Sequence, residues 1–424
     1  MRTLGAIFLL TLRSLVRSRF LASILVLALA LVVLLPVAVR DDGTAAGRVQ
    51  VLLRYTLVAV SFLLSVGTLG VAPGLVAGEL ESRRLQQVLV KPVRFIQVWA
   101  GKWLALLVVN AIMLGLAVLL AQGLLQWSLR GRTDQPALAL PAPRASLAPA
   151  PGPGADSVPP GGTRRWIFPA VPKIGFDEVL ILRVQFMAAR YAEPRGMEAD
   201  WSLGAPGAEP FFRTSARLRA LVEQDLAVPA PPGGLPPALE AVFVNRTGET
   251  VLFNPGQGVR LLVPAGSYAA NLARAYLLIL FKLALLAAIG LTMGSLFSPP
   301  VAVLTAFFAL VLFAFSGYIG SVARTGVFYV PHHHEQEAGA GHEHGDEEEP
   351  GWMRTRLDSS LKAAFRGLDK VLSPVRRLDP LERVAGGERI SPAEVARGFG
   401  VLVLLGSGLM AALGAAIFRR RETG

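Results

Sequence analysis

The chain has 424 residues, 53% hydrophobic and only 17% charged, well under the ~25% of an ordinary soluble domain. A soluble fold cannot hide that much apolar surface at that charge density, so the long apolar runs point to a membrane. The net charge of +12 sits largely beside those runs, as helix anchors, which argues against nucleic acid as a partner; the absence of cysteine excludes disulfides, zinc–thiolate sites and thiol catalysis.

Residues 1–19 carry an apolar stripe of Leu4, Phe8, Leu12 and Leu15 opposed by Arg13 and Arg17, the pattern of a cationic interfacial helix. A helical crossing needs ~20 mostly apolar residues. Six stretches meet this: 21–39, 55–77, 103–125, 272–296, 301–322 and 399–418. The first exceeds the length of a signal-peptide core and is expected to stay uncleaved. Arg13, Arg17 and Arg19 precede it; Arg83, Arg84, Lys91 and Arg94 lie between the second and third; Arg419, Arg420 and Arg421 follow the last. With six crossings these basic flanks share one side, so both termini are expected to be cytoplasmic. The chain thus reads as a multi-pass protein of a cell membrane, the bacterial inner membrane, with membrane lipid as its surroundings.

Residues 129–162, between the third and fourth crossings, are rich in Pro, Ala and Gly and read as an extended linker. Residues 163–270 read as a small β-rich extracytoplasmic domain. Leu182, Val184 and Phe186 alternate with Arg183 and Gln185, which is strand periodicity. Residues 241–244 and 250–253 flank Asn-Arg-Thr-Gly-Glu, a hairpin-like connection, and 260–263 make a further strand closed by Pro264-Ala265-Gly266; residues 213–225 read as a short helix. This region has no His and no recognisable catalytic spacing. The fold class is therefore an α-helical integral membrane protein of about six transmembrane helices, with a β-rich extracytoplasmic domain between the third and fourth.

Residues 271–323 hold the fourth and fifth crossings, 324–396 a second external loop, and 397–424 the last crossing and a basic tail. All five histidines fall in that loop, His332, His333, His334, His342 and His344, among seven Asp and Glu residues. Imidazole and carboxylate suit zinc or copper, while a solvated acidic linker has the same composition. Leu357, Leu361, Phe365, Leu368 and Leu372 then recur at helical spacing over 354–373, an amphipathic helix for the membrane surface or for the chain's own external domain. Lys282 is the one charge central to a crossing, and no crossing supplies a carboxylate to pair with it. Ion-coupled carriers place acids or His inside their helices, so a metal-related secondary transporter is disfavoured, and a structural role for Lys282 is expected.

The cytoplasmic segment from Gly78 to Arg94 reads GELESRRLQQVLVKPVR and is followed by Gly101-Lys102 at the next crossing. It resembles the segment of type-2 ABC exporter permeases that carries an acidic start, a short helix, a KPV and then a GK. The short turn GSLFSPP at 294–300, the final IFRRRE at 417–422 and the N-terminal interfacial helix are similar to the same family. The resemblance covers somewhat over half the chain; the external β-rich domain departs from the shortest members. It implies a permease subunit that is not itself an enzyme, that binds no cofactor, and that works with a separate ABC ATPase subunit and a second permease chain, as homodimer or heterodimer, in export. No Gly-x-x-x-x-Gly-Lys-Ser/Thr loop occurs, so ATP would act through that partner. The ATPase-coupling residues it suggests are Glu79, Glu81, Arg83, Arg84, Lys91 and Pro92. Glu79 and Glu81 would open the short helix, where its dipole favours anions, and Pro92 would end it. The other readings of the chain are a non-transporting anchor that displays a sensor or assembly domain, and a membrane-embedded enzyme, for which no catalytic spacing speaks.

Overall fold

The computed structural model of the protein describes residues 2–38, 45–81, 94–130, 143–150, 157–172, 179–188, 197–220, 223–254, 258–325 and 351–422. They fall into two compact units. One is helical and comprises residues 1–131, 274–382 and 391–424; the other is β-rich and comprises 132–273 with 383–390.

In the helical unit, α1 (Arg2–Val16) and α2 (Arg19–Ala38) are followed by α3 (Ala45–Glu81) and α4 (Phe95–Arg130). After the β-rich insertion come α5 (Tyr268–Leu296), α6 (Pro299–Ala314), α7 (Ser316–Thr325), α8 (Gly351–Arg377), α9 (Leu381–Ala385) and α10 (Pro392–Gly398). A π-helical stretch, Phe399–Ser407, joins α10 to α11 (Gly408–Glu422). Among the described residues four helices are long and apolar enough to cross a membrane: Leu53–Glu81, Phe95–Trp127, Tyr268–Leu296 and Pro392–Arg419. The bent pair Thr3–Val16 and Arg19–Leu35, broken by 61°, adds a fifth if taken together.

Two expected crossings differ from the sequence reading. The stretch 301–322 is not one helix: it breaks at Phe315, leaving the 16 residues of α6 and then α7. The last helix starts at Pro392 rather than at Phe399, because Ser391 and Glu394 form a reciprocal capping box. Small residues let the helices meet. Gly398 lies against Leu278, Gly406 against Leu285 and Gly414 against Thr292 and Ser295, so three glycines of the last helix face α5. Gly294 of α5 meets the Pro73 backbone of α3, where a Cβ has no room.

Among the described residues the β-rich unit has eleven strands: β1 (Arg144–Leu147), β2 (Ser157–Val158), β3 (Thr163–Phe168), β4 (Val179–Val184), β5 (Phe186–Ala188), β6 (Met197–Gly204), β7 (Phe212–Leu218), β8 (Gln224–Pro229), β9 (Leu239–Asn245), β10 (Val251–Phe253) and β11 (Val259–Pro264). They form three antiparallel sheets, ordered β1-β11-β4-β8, β2-β10-β5 and β3-β9-β6-β7. Alternate residues point inward, as strand geometry requires: Leu239, Ala241 and Phe243 of β9, Leu180, Leu182 and Val184 of β4, and Ala199, Trp201 and Leu203 of β6 share one core. Its centre is aromatic. Phe253 lies 4.8 Å from Trp166 and 5.1 Å from Phe243, both edge-on, and Trp201 stacks on Trp166 at 5.8 Å.

The expected β-rich domain is present, but its parts differ in three places. The segment taken as a linker contributes β1 and β2, with Val158 buried in the core and Leu147 against it. Where a helix was expected over 213–225, residues 213–218 lie in β7 and 224–225 open β8; Phe212, Thr214 and Ala216 alternate with Arg213, Ser215 and Arg217, a two-residue period. β9 and β10 do not pair as a hairpin but join different sheets. The buried Asn245 sits at the switch: its amide donates to the carbonyls of Val158, Pro159 and Glu249, and its oxygen accepts from Thr247. These bonds fold the connection sharply and tie it to β2.

Candidate functional site

The ends of α3 and α4 that flank the segment 82–93 form the candidate coupling site. Glu79 and Glu81 lie in the last turn of α3, not at the start of a separate helix. The helix dipole there disfavours anions, so another group must compensate Glu79. That group is Lys102, two turns into α4. Its ammonium is buried, pairs with the Glu79 carboxylate and donates to the Leu75 carbonyl. Glu79 keeps 42% of its side chain exposed while Lys102 keeps 3%, so the carboxylate reaches inward from the surface to a sealed cation. Arg83, Arg84, Lys91 and Pro92 lie outside the described residues.

Further contacts fix this end of the unit. Gly101 takes Ile7 of α1 against its backbone, which places the N-terminal amphipathic helix along α4. Phe95 stacks on Phe418 of α11 at 4.5 Å. Farther along α4, Trp103 donates to the Ala284 carbonyl of α5 at 2.8 Å, Asn110 accepts from Thr68 of α3 at 3.1 Å, and Tyr276 of α5 donates to the Ala111 carbonyl at 2.6 Å. α4 therefore contacts α1, α3, α5 and α11, and a displacement of its first turns is felt by all of them.

A second charged site lies at Lys282. Lys282 stands midway along α5, and its ammonium lies 2.7 Å from Asp379, which comes from the turn after α8 rather than from a crossing. Leu378 beside it is buried with Leu285 and Leu402, amid Phe281, Ile289, Phe313, Val375 and Val401. Arg376, one turn earlier, donates to the Ser316 carbonyl, lies over Gly320 and pairs with Asp369 at 2.9 Å. The amphipathic helix α8 thus packs its end on α7 and the helical unit, while Arg366, Lys370 and Val371 stay exposed.

A third cluster belongs to the β-rich unit. Arg183, buried on β4, makes a bidentate pair with Asp225 at 2.7 and 2.8 Å. Glu388, from the segment 383–390, lies 2.7 Å from Arg260 and 3.6 Å from both Arg183 and Arg383. Burial works against the Arg183 charge, but the hydrogen bond and field of Asp225, with Glu223 and Glu388, outweigh it and raise its pKa above the ordinary arginine value. The backbone of 383–390 continues the sheet: Arg144 N–H donates to Gly387 O at 2.8 Å and Arg389 N–H to Arg144 O at 2.7 Å. Gly387 supplies the positive φ of 71° that turns Glu388 inward. Asn271 closes the arrangement, donating to Glu388 O and accepting from Ile390 N–H.

The proposed metal ligands His332, His333, His334, His342 and His344 lie outside the described residues, and among those described no cluster of three or more His, Asp or Glu is arranged for a metal ion. Sequence reasoning passed over Lys102 as a site residue, and over Asp379, Glu388 and Asn271 entirely. Comparison with protein-family patterns, with characterised proteins and with solved structures gives no match to this chain.

Proposed function

We propose that the chain is the membrane-spanning permease subunit of an ATP-driven ABC exporter, working with a separate ATPase subunit and a second permease chain in the bacterial inner membrane. One observation carries the reading: the charged segment from Gly78 to Lys102 joins two long apolar helices whose ends are bound together by Lys102 and Glu79. A partner that pushes on the residues between them moves α3 and α4 together, and α1 and α11 follow through Ile7 and Phe418. Arg83 and Arg84 are the residues free in sequence to meet acidic groups of that partner, since Glu79 already serves Lys102. In this reading α2 and α6 join the four long helices as crossings, giving six and placing both termini on the cytoplasmic side. α6 spans ~24 Å and requires a locally thinned bilayer.

Changing Arg83 and Arg84 to Glu tests the reading. Like charges brought together at an interface cost up to several kcal/mol. The double variant is expected to insert normally but to lose the co-purifying ATPase and its stimulated activity. Retention of both at wild-type levels would reject the coupling role. The separate aromatic core of the β-rich unit favours the second reading, an anchor displaying a sensor or assembly domain, and that reading predicts no ATPase at all.

A further inference from the structure

We propose that Lys282 is the head-group site for an acidic amphiphile, a carboxylate or phosphate carried on an alkyl chain, and that Asp379 occupies this site as a built-in substitute when no amphiphile is bound. The inference deepens the permease reading by naming the substrate class.

Lys282 sits at the midpoint of the 29-residue α5, within one turn of Leu278 and Leu285, which pack on Gly398 and Gly406 of the last helix. A cation on a helix packed this closely is costly unless an anion meets it. None of the long apolar helices supplies one; the counter-charge is Asp379, in the short connection between α8 and α9. Lys282 retains 19% and Asp379 32% of side-chain exposure, so the pair is reachable and not sealed. Beside it lies an apolar cluster: Phe281, Leu285, Ile289, Phe313 and Leu402 gather where Leu378, the residue before Asp379, inserts, while the other Asp379 oxygen accepts from the Leu381 N–H at 3.2 Å. A carboxylate with a bulky apolar neighbour, held between helices by one ammonium, has the chemistry of a fatty acid. Asp379 and Leu378 together present an acid group and an aliphatic side chain to this place. A ligand with the same two features, and a longer alkyl chain, competes for the same cation and the same apolar walls. Withdrawal of the Asp379 segment without such a ligand would strand Lys282, which makes exchange more favourable than simple opening.

The test uses the purified full-length chain in detergent, with no ATPase present, so its failure is distinct from failure of the permease reading. Binding of oleate and of oleyl alcohol is measured by isothermal titration at mildly alkaline pH, with lysophosphatidic acid as a third probe to separate carboxylate from phosphate. Asp379→Asn removes the competing charge while keeping the side chain's size and an acceptor for the Leu381 N–H, and is expected to tighten oleate binding on the order of tenfold while leaving oleyl alcohol unchanged. Lys282→Met is expected to abolish the preference for the acid over the alcohol, and Lys282→Arg to keep it. Unchanged oleate affinity in Asp379→Asn, with Lys282→Met still preferring the acid, would overturn the proposal. So would an equal gain for the alcohol, which would mean that only apolar space had opened.

Discussion

Lys102 and Glu79 form a pair of unequal partners: the ammonium is sealed between α3 and α4, whereas the carboxylate stands half in solvent. Removing either group therefore has different consequences. Lys102→Met leaves Glu79 able to hydrate and is expected to cost about 1 kcal/mol, the scale of a surface pair. Glu79→Gln leaves a buried cation with a carbonyl as its principal acceptor and is expected to cost about 3 kcal/mol. Thermal unfolding of both variants and of the double variant in one detergent measures this. Equal losses in the two single variants would count against the asymmetry.

The aromatic centre of the β-rich unit should behave as one body. Phe253 touches Trp166, Phe186, Trp201 and Phe243. Phe253→Ala is expected to destabilise that unit by about 3–5 kcal/mol. Tryptophan fluorescence reports it directly, because Trp166 and Trp201 flank the lost ring. The outward-facing Ile167→Ala, next to Trp166 on β3, should cost well under half as much.

Glu388 ties the segment 383–390 to Arg260, Arg183 and Arg383. Glu388→Gln keeps the shape and removes the charge. Arg183 retains Asp225 and Arg260 retains Glu223, so the sheet should survive. The segment itself should loosen, by about 2–3 kcal/mol on the scale of a broken buried pair. Faster protease cleavage confined to residues 383–390 is the expected result, and unchanged cleavage would show that the backbone pairing with Arg144 suffices.

On the rim of the unit, the bond from Arg246, and then that from Ser215, hold the Asp200 carboxyl below its ordinary pKa. A depressed folded pKa contributes stability that is present above the unfolded carboxylate value and is lost as pH falls through the folded one. Asp200→Asn should therefore lower stability near neutrality, match the parent chain at strongly acid pH, and so flatten part of the acid-side decline. A carbon-13 titration of the Asp200 carboxyl gives the direction independently.

The orientation has its own test. The chain lacks cysteine, so single cysteines can be placed at Gly233 and Gly341 without background. Both are expected to react with an impermeant maleimide from the extracytoplasmic side. Labelling from the cytoplasm alone at either position would refute six crossings.

The long apolar helices were legible in the sequence because a run of ~20 apolar residues has few alternatives to a membrane. The strand period at Leu182, Val184 and Phe186 was equally plain. The helix expected over 213–225 failed because the small residues Ser215 and Ala216 fit either period, and only the neighbouring strands decided between them. The capping box at Ser391 and Glu394 was a readable start signal, overlooked because hydropathy rises only later, at Phe399. Proline and alanine in 143–158 hid β1 and β2, whose place is given by pairing with β11 and β10. The charge pairs were not readable. Lys282 and Asp379, or Glu388 and Arg260, are far apart in the chain and have no periodic relation; only the packed structure brings them together.

The docking of 383–390 beside β1 has a consequence for biosynthesis. Strand β1 and its partner β11 leave the ribosome well before Glu388, with α5, α6, α7 and α8 made in between. Until the later segment arrives, Arg144 offers an open sheet edge and Arg183 and Arg260 lack one of their anions. An unpaired edge invites pairing with other chains. The β-rich unit therefore cannot complete its fold while the chain is still emerging; it must wait, unfinished, until nearly the whole polypeptide has been made.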